Sequence, residues 1–212
     1  MIKAGLRRSV RQVIEDGQHG RGRQAARPLD AARLNELALA YVARFATSAG
    51  KLGGYLRRKL RERGWAGEAE PADAAAAVVA RMVAAGYVDD AGFARARSES
   101  LARRGLGRRR IAQELGMAGI SGQDAAAALP GARAARAAAL ALARKRRFGP
   151  YDPGERAGEA WRARRQKQIA AMLRAGHPLD SVRELVDAAS VAAAEEWAGA
   201  GADGGSAEDG DE

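Results

Sequence analysis

In the stretch GYVDDAGFARARSESLARRGLGRRRIAQELGMAGI, residues 86–120, the side chains able to take part in chemistry are an acidic doublet, two aromatic rings and seven arginines. Asp89 and Asp90 form a paired carboxylate of the kind a metal-dependent nuclease uses. Such a site needs further acids close by, and the next in the chain is Glu99, over two helical turns on. The doublet suits a helix start better: Asp89 caps a helix opening at Asp90, and both charges favour its positive end. Gly105 and Gly107 precede a helix and three arginines, a pattern that could hold a phosphate at the helix N-terminus. No Lys-Ser or Lys-Thr follows and no strand precedes, so these glycines are expected to serve a helix turn. His19 and His177 are the only histidines and there is no cysteine. Two separated imidazoles make neither a nucleophile triad nor a metal set. The expectation is a non-enzyme without metal or cofactor.

Tyr87 and Phe93 flank the doublet. As stacking platforms for bases they would need exposure, whereas their spacing around a helix start favours a buried contact under the cap. Arg97 falls on the buried side of the same helix and is expected to snorkel. The remaining cations come in clusters: Arg57, Arg58, Lys59, Arg61 and Arg63; Arg103, Arg104, Arg108, Arg109 and Arg110; Arg144, Lys145, Arg146 and Arg147; Arg162, Arg164, Arg165 and Lys167. A run of charge is commonly just a solvated helix face. Recurrence at equivalent places in stacked units would align these side chains along one polyanion-facing edge. On that expectation, reversing Arg108, Arg109 and Arg110 would spare the fold and cost binding.

The elements that must carry these groups are helices. Aromatics are 5% of the 212 residues, and much of the 47% hydrophobic content is alanine, which favours helix and buries little area. Leu34, Leu37, Ala38, Tyr41, Val42 and Phe45 form one apolar stripe; Val78, Val79, Met82 and Val83 form another. Ile111 and Leu115 sit one turn apart and are closed by Gly119. Ser121 with Asp124 offers a weak capping box, and Asp152-Pro153-Gly154-Glu155 a stronger one, with proline at the first helical position. Trp161, Ile169, Met172 and Leu173, then Leu179, Val182, Val186 and Ala189, supply the last two stripes. Nothing alternates with period two, so no strand is predicted.

Net charge is +10, unevenly placed. From Glu195 onward there are seven acids and no Lys or Arg; the rest holds 36 basic against 19 acidic residues, a net +17. Such a body attracts polyanions. No apolar run is long enough for a membrane span, and the absence of cysteine suits a reducing cytoplasm.

One phrase recurs. YLRRKLRERGW (55–65), RIAQELGMAGI (110–120) and KQIAAMLRAGH (167–177) each place an apolar residue four before a glycine, at Leu60, Leu115 and Met172. The third copy is looser, with Gln168 where the others have Leu56 and Ile111, and the loop Trp65 to Pro71 is an insertion in the first. Each unit is too small to bury its own face and must stack on the next. The expected organisation is a basic disordered arm (1–29), helical repeats at 30–87, 88–130 and 131–194, and an acidic disordered tail (195–212). The expected fold class is all-α, an elongated array of three tandem three-helix repeats.

Gly86-Tyr87-Val88-Asp89-Asp90, Phe93-Ala94, Gly105-Leu106-Gly107 with Arg109-Arg110-Ile111, Glu114-Leu115 and Gly119-Ile120 together resemble the signature of the RecX family of RecA regulators. LRRKLRERG and MLRAGHPLDSVRELV look like that family's first and third repeats. The resemblance covers about 160 residues, from about Asp30 to Ala189. The sequence departs from the pattern at Gly92 and Ala118, where basic residues are usual, and at Arg108, where proline is common. The resemblance implies a cytoplasmic, monomeric regulator that binds the RecA filament on single- or double-stranded DNA and restrains it. Its contacts would be spread over Arg57, Arg58, Lys59, Arg61, Arg103, Arg104, Arg108, Arg109, Arg110, Arg144, Lys145, Arg146, Arg147, Arg162 and Arg165. A DNA-binding protein of helix-turn-helix type, reading with Gly107 to Leu129 and independent of RecA, is the alternative.

Overall fold

A computed structural model describes residues 27–200. Ten α-helices occupy them: α1 Ala31–Val42, α2 Ala49–Arg63, α3 Pro71–Ala84, α4 Asp90–Arg103, α5 Arg108–Met117, α6 Gly122–Ala128, α7 Ala132–Arg146, α8 Gly158–Arg174, α9 Leu179–Asp187 and α10 Val191–Gly199. A short 3-10 turn, Gly149–Tyr151, lies between α7 and α8. The protein is all-α. Among the described residues β pairing is confined to one bridge between Leu29 and Trp65.

The apolar residues gather into three separate cores. Leu34, Leu52, Leu56, Leu60, Val78 and Met82 close α1–α3 around the first. Ala94, Leu101, Ile111, Leu115 and Ile120 close α4–α6 around the second. Ala143, Ile169, Met172, Val182, Leu185, Val186 and Ala194 close α7–α10 around the third. Leu60, Leu115 and Met172, the residue four before each recurring glycine, are buried in the first, second and third core respectively. Each core consists mostly of small and medium aliphatic side chains, consistent with the low aromatic content.

Several local expectations are corrected. The first stripe overruns its helix: α1 stops at Val42, and Phe45 is 55% exposed in the loop beyond. Val83 likewise lies on the open side of α3. The box at Asp152 starts no helix, because its carboxylate turns to Gly154 N–H (2.9 Å), Arg164 (3.1 Å) and Gln168 (2.8 Å), and α8 opens only at Gly158. Ser121 precedes α6 without a side-chain capping bond. The acidic tail does not begin at Glu195: α10 runs through Glu195 and Glu196, with Ala194 and Ala198 buried and Trp197 packed against the third core. Nor does the basic arm extend to residue 29. Leu29 is fully buried, its N–H donates to the Gly64 carbonyl (3.0 Å), and its carbonyl accepts from Ala66 N–H (2.9 Å). The rest of the arm and tail, residues 1–26 and 201–212, lie outside the described residues, as does His19.

Candidate functional site

The second helix of each unit sets the geometry, because the start of one meets the end of the next. At the start of α5, Gly107 N–H donates to Ala175 carbonyl (2.9 Å) and Arg109 N–H to Gly176 carbonyl (3.3 Å), beyond the end of α8. The first N–H groups and last C=O groups of a helix lack partners within it. Here the two ends satisfy each other, with the positive end of one macrodipole on the negative end of the other. α5 accordingly has no side-chain N-cap. The backbones come so near that a Cβ on Gly107 would lie 2.4 Å from the Gly176 carbonyl carbon. His177 closes the same joint: buried, with Nε2–H donating to the Gly105 carbonyl (3.0 Å). Burial pushes its ring below the usual imidazole range, against a smaller upward pull from that bond.

The joint between the first and second units is built alike from different side chains. Ser48, fully buried, accepts from Lys51 N–H (3.2 Å) as the N-cap of α2 and donates its hydroxyl proton to the Ala118 carbonyl at the end of α5. A Cβ on Gly50 would lie 2.7 Å from the Cα of Gly119. The acidic doublet divides its work. Asp89 caps its own helix, accepting from Gly92 N–H (2.9 Å), as expected. Asp90 instead accepts from Ala49 N–H (2.8 Å) and so caps α2 of the neighbouring unit. The two glycines that could have faced a phosphate are engaged as well: Gly105 N–H donates to the Ala102 carbonyl at the end of α4 (2.8 Å), and Gly107 N–H to the end of α8.

Many of the predicted contact cations are engaged within the fold. Arg58 and Lys59 share Glu62 (3.6 and 2.6 Å), Arg103 meets Glu99 (3.6 Å) and Arg110 meets Glu114 (3.0 Å). Arg144 pairs with Glu195, and Arg165 holds both Asp187 oxygens through its Nε and Nη2. That contact is the first cause lowering the Asp187 carboxyl below its usual range. Arg108 donates to the Pro130 carbonyl (2.6 Å), and Arg109 reaches across the joint to the Leu173 carbonyl. Arg57, Arg61, Arg104, Lys145, Arg146, Arg147 and Arg162 are exposed and make no side-chain hydrogen bond or ion pair with another described residue. Each unit retains at least one such cation, on α2, beside α5, or on α7 and α8.

Three placements escape sequence reasoning. Tyr87 is 59% exposed and not a core ring, while Phe93 is half-buried against the second core with the Lys51 ammonium 5.0 Å from its centroid. Arg97 does not snorkel but bonds Glu114 (3.2 Å). Gln168, the odd residue of the third copy, is buried: its carbonyl accepts from Gly149 N–H (2.8 Å) while its amide donates to Asp152. The Gly154 N–H first, with the Arg164 guanidinium and the Gln168 amide, holds the Asp152 carboxyl below the usual carboxylate range. A polar residue where two sister copies are apolar was the available signal.

The fold and its joints define a class: successive helical units, two of three helices and one of four, linked end to end through their second helices and offering cations outward. Residues 89–129 match the family described as RecX, second three-helix domain. Over 180 residues the chain is 29% identical to Regulatory protein RecX of Myxococcus xanthus (strain DK1622), covering 81% of this chain and 94% of that one. The crystal structure of RecX from Lactobacillus salivarius has the same fold, with a TM-score of 0.51 at 18% identity over 72% of this chain and 91% of that one. In sequence and in fold the chain is thus similar to proteins named RecX, as the motifs of residues 86–120 lead one to expect.

Proposed function

We propose that this protein is a non-enzymatic regulator that lies along the RecA–DNA filament and restrains it, hindering ATP turnover, strand exchange and the SOS-type cleavage response. The observation that carries this reading is the set of cations left over in every unit: Arg57 and Arg61, Arg104, then Lys145, Arg146, Arg147 and Arg162. Ion pairs and hydrogen bonds inside the fold engage many of the other predicted contact cations, whereas these remain available to a polyanion. Their distribution over units joined end to end suits a long, repetitive partner better than a compact one. The helix-turn-helix alternative is weaker, because the exposed positions of α6 are Gly122, Gln123, Asp124, Ala126 and Ala127, with no cation to approach phosphate.

The test is a pull-down with RecA filaments assembled on DNA, set beside naked DNA at matched concentration and salt, together with titration into a RecA ATPase assay. Retention on filaments well above naked DNA and a falling ATPase rate are expected. Reversing Arg57, Arg61, Arg104 and Arg146 to Glu should weaken filament retention more than about tenfold while leaving the melting curve in place, since exposed charges contribute little to folding but add together against phosphate. Equal retention on naked DNA would overturn the reading in favour of a plain DNA binder.

A further inference from the structure

We propose that the face of the first unit and its seam with the second form a stacking site for the unpaired bases of a single-stranded nucleic acid. The site stands on different residues from the cations above. Tyr41 and Tyr55 are stacked, centroids 4.4 Å apart at 22°, and Phe45 lies 5.3 Å from Tyr41 with 55% of its surface open. These rings line an open cleft of about 390 Å³ with Ala40, Arg44 and Arg58. One residue further along the chain, Ala46 and Thr47 enter a second open cleft of about 460 Å³, whose walls include Tyr87 and Phe93. The loop between α1 and α2 is thus a low ridge between two aromatic-walled clefts.

The charges argue for the occupant. The first cleft is lined by two arginines and no carboxylate. Arg44 has no acidic partner among the described residues, and the Arg58 guanidinium lies 5.5 Å from the Tyr55 centroid while its Nε is 3.6 Å from Glu62. In the second cleft Arg97 is committed to Glu114 and the one carboxylate, Asp89, to Gly92 N–H; the Lys51 ammonium, outside the cleft's lining, stands 5.0 Å from the centroid of its Phe93 wall. An open ring beside an uncommitted cation matches a nucleotide, which brings a flat π-face and a phosphate together. A duplex keeps its base faces covered by stacking and offers only the phosphate. Large rings left in water at both clefts, Phe45 and Tyr87, are the parts of the surface that such a base would cover.

Phe45→Ala and Tyr87→Ala both change exposed side chains, so the double variant is expected to keep the melting temperature of the parent, which is checked first. Binding is then measured by anisotropy with three labelled probes of equal length, about 20 nucleotides: oligo-dT, an abasic strand with the same phosphates, and a duplex. RecA is absent, so the outcome is independent of the filament reading. Stacking predicts a loss of about tenfold or more on oligo-dT, less than about twofold on the abasic strand and duplex, and an unchanged slope of log Kd against log salt. Arg44→Gln, by contrast, should weaken all three probes alike and lower that slope. Equal losses on the three probes, or no loss on oligo-dT, would overturn the proposal. In a separate filament pull-down of the same variant, reduced retention with oligo-dT binding intact would assign the clefts to a protein side chain, and overturns the proposal equally.

Discussion

Arg109 shows how a side chain that reads as surface charge can be part of the frame. Its guanidinium donates to the Leu173 carbonyl and its N–H to Gly176, so a carboxylate there would face the negative end of α8. Arg109→Glu should therefore cost about 1–3 kcal/mol of stability, whereas Arg104→Glu, one of the uncommitted cations, should stay within about 0.5 kcal/mol; urea titrations of both compare them directly. This corrects the expectation that Arg108, Arg109 and Arg110 can be reversed without cost to the fold: such a variant would test the joint and not the partner. His177 gives a second residue-scale prediction. Unfolded, its imidazole titrates near about 6.5; folded, the value is lower, so between the two the unfolded chain binds the extra proton. Stability is then full above about pH 7 and falls as pH drops through 6.5, and His177→Gln should flatten that slope between about pH 7 and 5.5, above the range where carboxylates titrate. A slope unchanged by the substitution would remove His177 from the joint. The cap at Asp89 was legible because its partner is three residues away. The role of Asp90 was not, because its partner is 41 residues away and only the fold brings them together.

At the scale of elements, periodicity located the helices and their inner faces, while the ends went wrong wherever a side chain had a better partner elsewhere. Leu34 and Ala38, Val78 and Met82, Ile111 and Leu115, and Val182 and Val186 all lie inside as their spacing requires. The failed start at Asp152 has a physical cause: its carboxylate holds Gly154, Arg164 and Gln168, and those bonds fix the loop before α8. The recurring glycine was visible, but its use as the meeting point of two helices was not, since close backbone approach leaves no trace in hydrophobic pattern. Two glycines of one helix separate the effects. A Cβ at Gly50 would press on the Gly119 backbone, while at Gly54 it would meet nothing within 4 Å. Gly54→Ala should raise stability by about 0.5–1 kcal/mol through reduced unfolded-state freedom, and Gly50→Ala should lower it by about 1–3 kcal/mol despite the same gain in helix propensity. If both substitutions stabilise by equal amounts in chemical denaturation, the joint is looser than its geometry implies.

At the scale of the whole molecule, joints that run end to end imply an extended body. A compact globule of the 174 described residues would have a radius of gyration near about 16 Å, whereas units in a row should exceed about 19 Å, and solution scattering of the fragment 27–200 distinguishes the two. The charge asymmetry seen in the sequence survives, but its boundary moves. α10 takes Glu195 and Glu196 into the folded body, where Glu195 pairs with Arg144, and five acids remain beyond Ala200: Asp203, Glu208, Asp209, Asp211 and Glu212. Cutting the chain before α10 would strip Ala194 and Ala198 from the third core's contacts, so the informative truncation is after Ala200. A segment tethered to a basic body competes with DNA phosphate at an effective concentration that reaches the millimolar range, and the competition fades as salt shortens the Debye length. The truncated protein is therefore expected to bind a labelled single strand more tightly than the full chain at low salt, with the two affinities converging toward several hundred millimolar. Anisotropy titrations of both proteins across a salt series measure this; equal affinities at every salt would reduce the five acids to a solubilising appendage, and a gap that persists at high salt would mean that the segment acts by something other than its charge.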